Sequence, residues 1–379
     1  MHLLRVQVPD FRGLKNIDIT FEKDFVPSIF PLGSQNGGGK STLLQLIFVL
    51  LHCSVDEDKK PFLENLLQGF KVADGEEKRV LALIDIWDRE KIVKLEFYCR
   101  KDSLLGDIFL EDIQLENLIP ICNYSSAKQC SNNQEQNTEL LLCCFNILKK
   151  NEAKLFLDKV SRKIFLAAPS TQVFLFLPLD SRKLLFSNSS KEDKNYYAIL
   201  ESTISKLNGL FTYDFLAVKL LIKSFKDARD RDFREAIKTG NYGNSYQALI
   251  NDLNRLLGNK RINLNEDFSG VNFQLYNNGE AIELYPEDLS HGELKRLSIY
   301  IWLKSRNIKD AIVLMDEVEI AFHPDWQYQI ISDLKEWAPS NQYILATHSY
   351  ALCEALTPAH VKEIEPKLIK QKSNITNES

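Results

Sequence analysis

The 379-residue sequence has no basic excess: 52 acidic side chains outnumber 47 lysines and arginines, for a net charge of −5 and a pI of about 5.8. A globally basic, histone-like DNA binder is therefore excluded, although a local basic groove is not. No apolar run approaches the length of a membrane span, and the first residues carry no signal-peptide pattern, so no membrane partner is expected. The seven cysteines lack C-x-x-C spacing. They make a poor zinc or disulfide framework and read as buried thiols in a reducing cytoplasm, with Cys143-Cys144 in the core. No heptad is sustained, so no extended coiled coil is expected. The six histidines are scattered and form no H-N-H cluster.

With 44% hydrophobic residues the chain can build a substantial core, as one large domain or two smaller ones. Its most informative stretch is Gly33-Ser34-Gln35-Asn36-Gly37-Gly38-Gly39-Lys40-Ser41-Thr42. The apolar run Val26–Leu32 before it suits a buried strand, and Leu43–Leu51 after it suits a buried helix. Strand, glycine-rich loop, Lys-Ser and helix are the context of a phosphate-binding loop. Glycines turn the backbone so that successive N–H groups face one concavity, and the helix N-terminus adds its positive dipole end. Lys40 is placed to neutralise β and γ phosphates, and the Ser41 hydroxyl to bind Mg²⁺. Ser34 departs from the glycine expected there and would cost about a kilocalorie if the position needs φ > 0.

Further along, Leu3–Val8 and Ile17–Phe21 alternate as a hairpin or meander around Phe11-Arg12-Gly13-Leu14, with Arg12 either near a nucleotide or a solvated turn residue. Residues 54–79 read mostly as loop with a helical patch at Phe62–Phe70, and Val80–Trp87 and Ile92–Tyr98 as a strand pair. Residues 123–138, rich in Asn, Gln and Ser, read as a mobile loop. Thr138–Arg162 is patterned as helix, and Gln172–Pro178 as a buried strand stopped by proline. Helices are expected at Tyr196–Leu207, Asp214–Phe225, Phe233–Lys238 and Tyr246–Leu257. Phe273–Tyr276 and Ala281–Leu284 flank Asn277-Asn278-Gly279-Glu280, a hairpin signal. Pro366–Ser379 is polar and expected to be disordered.

Three more motifs carry chemistry. Leu289-Ser290-His291-Gly292-Glu293 opens an apolar-periodic helix, Leu294–Leu303. Ser290 and Glu293 make a capping box, and the same helix N-terminus offers a second phosphate contact. Ala311–Glu317 is a strand buried on both faces that ends in two acids. Asp316 suits Mg²⁺, and Glu317 is placed to polarise the attacking water. Tyr343–Ala346 is another buried strand, ending in Thr347-His348-Ser349, where His348 could hydrogen-bond a γ-phosphate.

The order of these motifs is that of ABC-type ATPase heads. Leu289–Glu293 resembles the ABC signature, with Glu293 where transporters carry Gln. Glu317 to Gln327 resembles the Asp-Glu-Pro-Glu…Leu-His-Pro…Gln stretch of soluble, non-transporter ABC ATPases related to RecF, the SMC heads and OLD proteins, with Val318 in place of proline. Phe11–Leu14 also fits that group. The resemblance covers residues 1–50 and 285–365 well and the middle poorly. It implies an α/β fold, an ABC-type P-loop ATPase head with a mixed sheet, flanking helices and a largely helical insertion. The head would comprise residues 1–100 and 260–365, the insertion 101–259, and the tail 366–379.

The resemblance further implies ATP and Mg²⁺ as cofactors and a head-to-tail homodimer. Asn36, Gly37, Gly38, Gly39, Lys40, Ser41, Thr42, Asp316, Glu317 and His348 would act in cis, and Ser290 and Gly292 in trans. Gln172 and Gln68 are the candidates for the family's Mg²⁺-contacting glutamine. With no appended Toprim or H-N-H nuclease to recognise, the chain looks like the ATPase subunit of a Septu-type anti-phage system, controlling a nuclease effector in trans. A RecF-like DNA-repair ATPase and a nucleotide-gated scaffold with negligible turnover are the alternatives, and nucleic acid stays open as a partner.

Overall fold

A computed structural model of the chain describes residues 1–34, 37–101, 117–125, 138–173, 176, 201–213, 217–265, 270–277 and 280–364. Two six-stranded sheets organise it. The first is antiparallel, in the order β2-β1-β4-β5-β7-β6, from β1 (His2–Phe11), β2 (Leu14–Thr20), β4 (Lys78–Trp87), β5 (Ile92–Lys101), β6 (Leu118–Ser125) and β7 (Thr138–Phe145). The second is parallel, in the order β15-β3-β14-β13-β8-β9, from β3 (Ile29–Gly33), β8 (Ile164–Ala168), β9 (Leu210–Thr212), β13 (Ile312–Asp316), β14 (Gln342–Ala346) and β15 (Lys362–Glu363). A small antiparallel sheet joins β10 (Lys260–Leu264), β11 (Val271–Asn277) and β12 (Glu280–Leu284).

The continuous apolar strands of the parallel sheet are explained by their two buried faces. Ile312 and Leu314 of β13, Ile344 and Ala346 of β14, and Phe30 and Leu32 of β3 enter one core cluster. Their neighbours Val313, Met315, Tyr343, Leu345 and Ile29 enter a second. The first cluster also holds α1 (Lys40–Cys53) and the inner face of the antiparallel sheet, so α1 lies between the two sheets. That is why its Leu43–Leu51 run is apolar on every side but for Gln45: all nine residues are buried, and each large aliphatic among them stabilises the fold by roughly 2 kcal/mol. α2 (Lys60–Leu67) and α3 (Lys150–Ser161) pack on α1. The second cluster takes α5 (Ala217–Thr239), α6 (Ser245–Leu257), α7 (His291–Ser305) and α8 (Pro324–Trp337).

One buried side chain ties the sheets together. The Gln342 carboxamide accepts the Leu3 N–H at 2.7 Å and donates to the Leu3 carbonyl at 2.9 Å, so β14 hydrogen-bonds β1 as a strand would. Across the other face, the Arg296 guanidinium of α7 meets the Asp333 carboxylate of α8 in a buried two-bond pair at 2.7 and 2.9 Å.

The α/β head is the fold found, and α3, α5 and α6 are helices of the middle region. The same region also supplies β6, β7, β8 and β9 to the two sheets. Thr138–Arg162 is corrected from one helix to β7 followed by α3, because Leu140–Phe145 is a short unbroken apolar run that strand and helix share. Gln172 and Val173 fall in a four-residue helix, α4 (Ser170–Val173), rather than a strand, and 177–178 lie outside the described residues. Residues 123–125 complete β6, while 126–137 and the tail from 365 onward lie outside the described residues. The two central helices expected at Asp214–Phe225 and Phe233–Lys238 are one, α5. Cys53, Cys99, Cys122 and Cys143 are buried free thiols, and burial pushes Cys99 and Cys122 up to about 12. Among the described residues no helix is long and apolar enough to cross a membrane.

Candidate nucleotide site

Three adjacent strands of the parallel sheet end at one level. The register pairs Asp316 with Ala346, and Ala346 with Leu32. The loops leaving β3, β13 and β14 at their carboxyl ends therefore meet, which is where open α/β sheets bind ligands.

The first loop leads from Gly33 to α1. Gly37 and Gly39 have φ of 81° and 87°, the left-handed region that glycine enters freely. At Gly39 a Cβ would also lie 2.5 Å from Leu14 Cδ2, so the Phe11–Leu14 turn closes over the loop. Gly38 is buried, Ser41 and Thr42 are half-buried in the first turn of α1, and Gln35 and Asn36 lie outside the described residues. Lys40 is 6% exposed. Its ammonium donates to the Ser34 carbonyl and hydroxyl at 3.0 Å each and lies 3.4 Å from His348 Nδ1. Ser34 is not among the described residues with positive φ, so it carries none of the strain anticipated from its replacing glycine. Burial lowers the Lys40 pKa, countered by Glu319, Asp316 and Glu317. Arg12 is a turn residue at φ 45° that donates to the Asn65 carbonyl at 3.1 Å, holding the turn to the helix α2 region.

The second loop begins at Asp316, 2% exposed, whose Oδ1 accepts the Ser41 hydroxyl at 3.0 Å. Glu317 follows at φ 49°, its N–H donating to the Ala346 carbonyl at 2.9 Å. This turn is clamped by Lys295, buried in α7, whose ammonium donates to the Glu317 and Ile320 carbonyls at 3.0 and 3.1 Å. Sequence reasoning gave Lys295 no role. Its one signal was a cation inside an apolar-periodic helix, a position that needs partners. Glu319, likewise unassigned, is buried and accepts the His348 N–H. In the third loop His348 is exposed, while Ser349 donates to Gln327 Oε1 at 2.6 Å.

Lys40, Ser41, Asp316 and His348 are thus brought together, with Glu317 next to Asp316. The signature segment is placed differently. Ser290 caps α7: its hydroxyl accepts the Glu293 N–H at 3.2 Å, and its own N–H and O–H donate to Glu293 Oε2 at 2.9 Å. Glu293 is itself paired with Lys260 at 2.7 Å. Gly292 is buried under the 317–322 turn, where a Cβ would meet the Ala321 carbonyl at 2.7 Å. Ser290 is exposed, and among the described residues its hydroxyl and N–H bond only Glu293, with no bond to the phosphate loop. Gln68 is the C-cap of α2, and the Gln172 side chain lies outside the described residues.

Ser41 Oγ and an Asp316 carboxylate oxygen are hard oxygen donors within one hydrogen-bond length, a fit to Mg²⁺ held by two protein oxygens and substrate phosphates. Burial pushes Asp316 up to about 7 from 3.8, with the Ser41 hydrogen bond opposing and Glu317 and Glu319 adding to it. The folded state therefore keeps a proton that the unfolded chain releases near pH 3.8. That contribution to stability is full below pH 3.8 and is lost as pH rises through about 7. Asp316→Asn, neutral at every pH, is expected to flatten this fall and raise the thermal midpoint at pH 8 without nucleotide or Mg²⁺. Parallel midpoint–pH curves for the two proteins would contradict the assignment.

Residues 166–354 match the family described as "AAA domain, putative AbiEii toxin, Type IV TA system". That span holds Ser290, Gly292, Asp316, Glu317 and His348, and not the phosphate loop. A 69-residue stretch, 17% of this chain, is 36% identical to the retron Vc95 probable ATPase of Vibrio cholerae serotype O1 biovar El Tor. It covers only 13% of that relative's length. Among solved structures, the Smc head bound to the C-winged helix domain of ScpA aligns with a TM-score of 0.46 at 13% identity, over 94% of this chain and 92% of that one. The SMC head domain from Thermotoga maritima aligns with a TM-score of 0.45 at 10% identity, over 94% and 92%. The phosphate loop and the carboxylate pair lie together as in a P-loop nucleotide site, and the match to an AAA domain spans the carboxylate side of it.

Proposed function

We propose that the chain is a Mg²⁺-dependent ATPase that completes its sites by pairing two heads, head to tail, and controls an effector supplied in trans. The observation that carries the hydrolysis reading is the meeting of a buried Lys40 with the Ser41–Asp316 pair at 3.0 Å, beside Glu317. Loop N–H groups and the α1 N-terminus cradle the phosphates, and Lys40 exchanges its Ser34 acceptors for phosphate oxygens. Mg²⁺, held by Ser41 and Asp316, would neutralise charge on the β and γ oxygens. Glu317 accepts a hydrogen bond from the attacking water, and its backbone is fixed by Lys295 and Ala346 so that only the carboxylate turns. His348, whose Nδ1 lies 3.4 Å from the Lys40 ammonium, donates to the γ-phosphate.

Pairing is supported by the signature. Ser290 stands exposed at the N-terminus of a 15-residue helix, free of its own phosphate loop, and so is presented to a second copy. The ABC-type reading of the dimer rests on this segment. The local likeness to a retron ATPase supports a setting in bacterial anti-phage defence. There the partner would be a nuclease, as in a Septu-type system. Co-purification with the product of the neighbouring reading frame tests that assignment.

Mixing tests the composite site. Ser290→Arg places a cation where a partner's γ-phosphate would dock, and Lys40→Ala empties the phosphate loop. Each homodimer has two damaged sites, whereas a mixed dimer has one site with both lesions and one with neither. Phosphate release is expected to recover on mixing, to at most about half per mixed dimer if the sites act independently. Subunit exchange is first established by labelled pull-down. Normal hydrolysis by Ser290→Arg alone would reduce the segment to a helix cap.

A further inference from the structure

Glu319 has no role in the reaction as derived above, yet it lies at the joint between the second and third loops. Its side chain is 7% exposed, and Oε2 is buried without a hydrogen-bond partner among the described residues. Oε1 accepts the backbone N–H of His348 at 2.7 Å. The two loops are tied at two further points. Glu317 N–H donates to the Ala346 carbonyl, and Gln327 accepts from Ser349 while donating to the Phe322 carbonyl at 2.9 Å. Those ties flank His348; among the described residues the Glu319 bond is the one that holds the His348 amide. The His348 side chain, though exposed, is brought to 3.4 Å from the Lys40 ammonium. Without an acceptor for its amide, the turn between Ala346 and Ser349 is free to carry the imidazole away from Lys40.

We propose that Glu319 is a positioning residue for γ-phosphate recognition: by holding the His348 amide, it aims the imidazole at the point that the Lys40 ammonium faces. This rests on the nucleotide reading of the site and adds to it a residue that touches neither nucleotide nor metal. Because the β-phosphate is held by the loop and Lys40, loss of the Glu319 bond acts on ATP and spares ADP.

Two conservative variants of the full chain separate reach from charge. Glu319→Asp keeps the charge and falls one methylene short of the His348 amide. Glu319→Gln keeps the reach and gives up the charge. Affinities for ATP and ADP are measured by calorimetry with Mg²⁺, and ADP binding certifies the fold in the same titration. Glu319→Asp is expected to lose about tenfold in ATP affinity with ADP affinity within about threefold of wild type, while Glu319→Gln keeps both within about threefold. In a His348→Ala background, Glu319→Asp is expected to have no further effect. The inference is overturned by an unchanged ATP preference in Glu319→Asp, by equal loss of ATP and ADP, by Glu319→Gln failing as Glu319→Asp does, or by an added loss in the His348→Ala background. A wild type without preference for ATP overturns it as well. Since the readout is binding, a wild type that prefers ATP but releases no phosphate would sink hydrolysis alone. Normal wild-type turnover beside an unaltered Glu319→Asp would sink only the role of Glu319.

Discussion

Glu317→Gln is expected to bind ATP as the wild type does and to release phosphate about a hundredfold more slowly, or worse. The substitution keeps size and shape and removes the carboxylate proposed to orient the attacking water. The backbone has reason to stay in place. Glu317 holds φ of 49° because its N–H reaches Ala346 and its carbonyl reaches Lys295, and neither bond involves the altered side chain. With hydrolysis stopped and binding intact, the variant is also expected to accumulate as a nucleotide-bound dimer, visible by size-exclusion chromatography with ATP and Mg²⁺. Phosphate release near the wild-type rate would remove Glu317 from the chemistry.

Lys40→Ala should have the other large effect, and on binding rather than turnover. A 6%-exposed ammonium is already stripped of water and held by two Ser34 oxygens, so it meets a phosphate at close to full strength. Deleting one partner of a buried charge pair lowers affinity by about a hundredfold or more. Calorimetric titration with ATP checks it, and an unchanged affinity would mean that the loop does not hold phosphate. Together the two variants separate capture of the nucleotide from its cleavage.

The parts of the site that could be read from the chain were those where local pattern and chemistry coincide. Gly37, Gly39, Lys40 and Ser41 sit between an apolar strand and an apolar helix, and each has a reason that spans only a few residues. Asp316 ends one five-residue buried strand and His348 follows another, and such ends are legible once both faces are apolar. What stayed hidden depends on contacts across the chain. Lys295 and Glu319 matter through backbone groups of loops 22 and 29 residues away. Thr138–Phe145 is a strand because β5 and β6 lie on either side of it, a fact with no local signature. The closeness of Leu14 to Gly39 likewise comes from how the antiparallel sheet is laid over α1.

The strand order also bears on when the protein can act during its own synthesis. β3 carries the phosphate loop near the N-terminus, yet its neighbours in the sheet are β14 and β15, more than three hundred positions later. A ribosome that has just added Leu303 has delivered the whole loop but neither β13 nor β14. Closing so long an interval is entropically unfavourable until those strands contribute their own contacts. The nascent chain therefore has no Asp316 for Ser41 and no His348 for Lys40. A chain arrested before β14 is complete lacks the strand that β3 pairs with, so its phosphate loop is not yet anchored to the sheet.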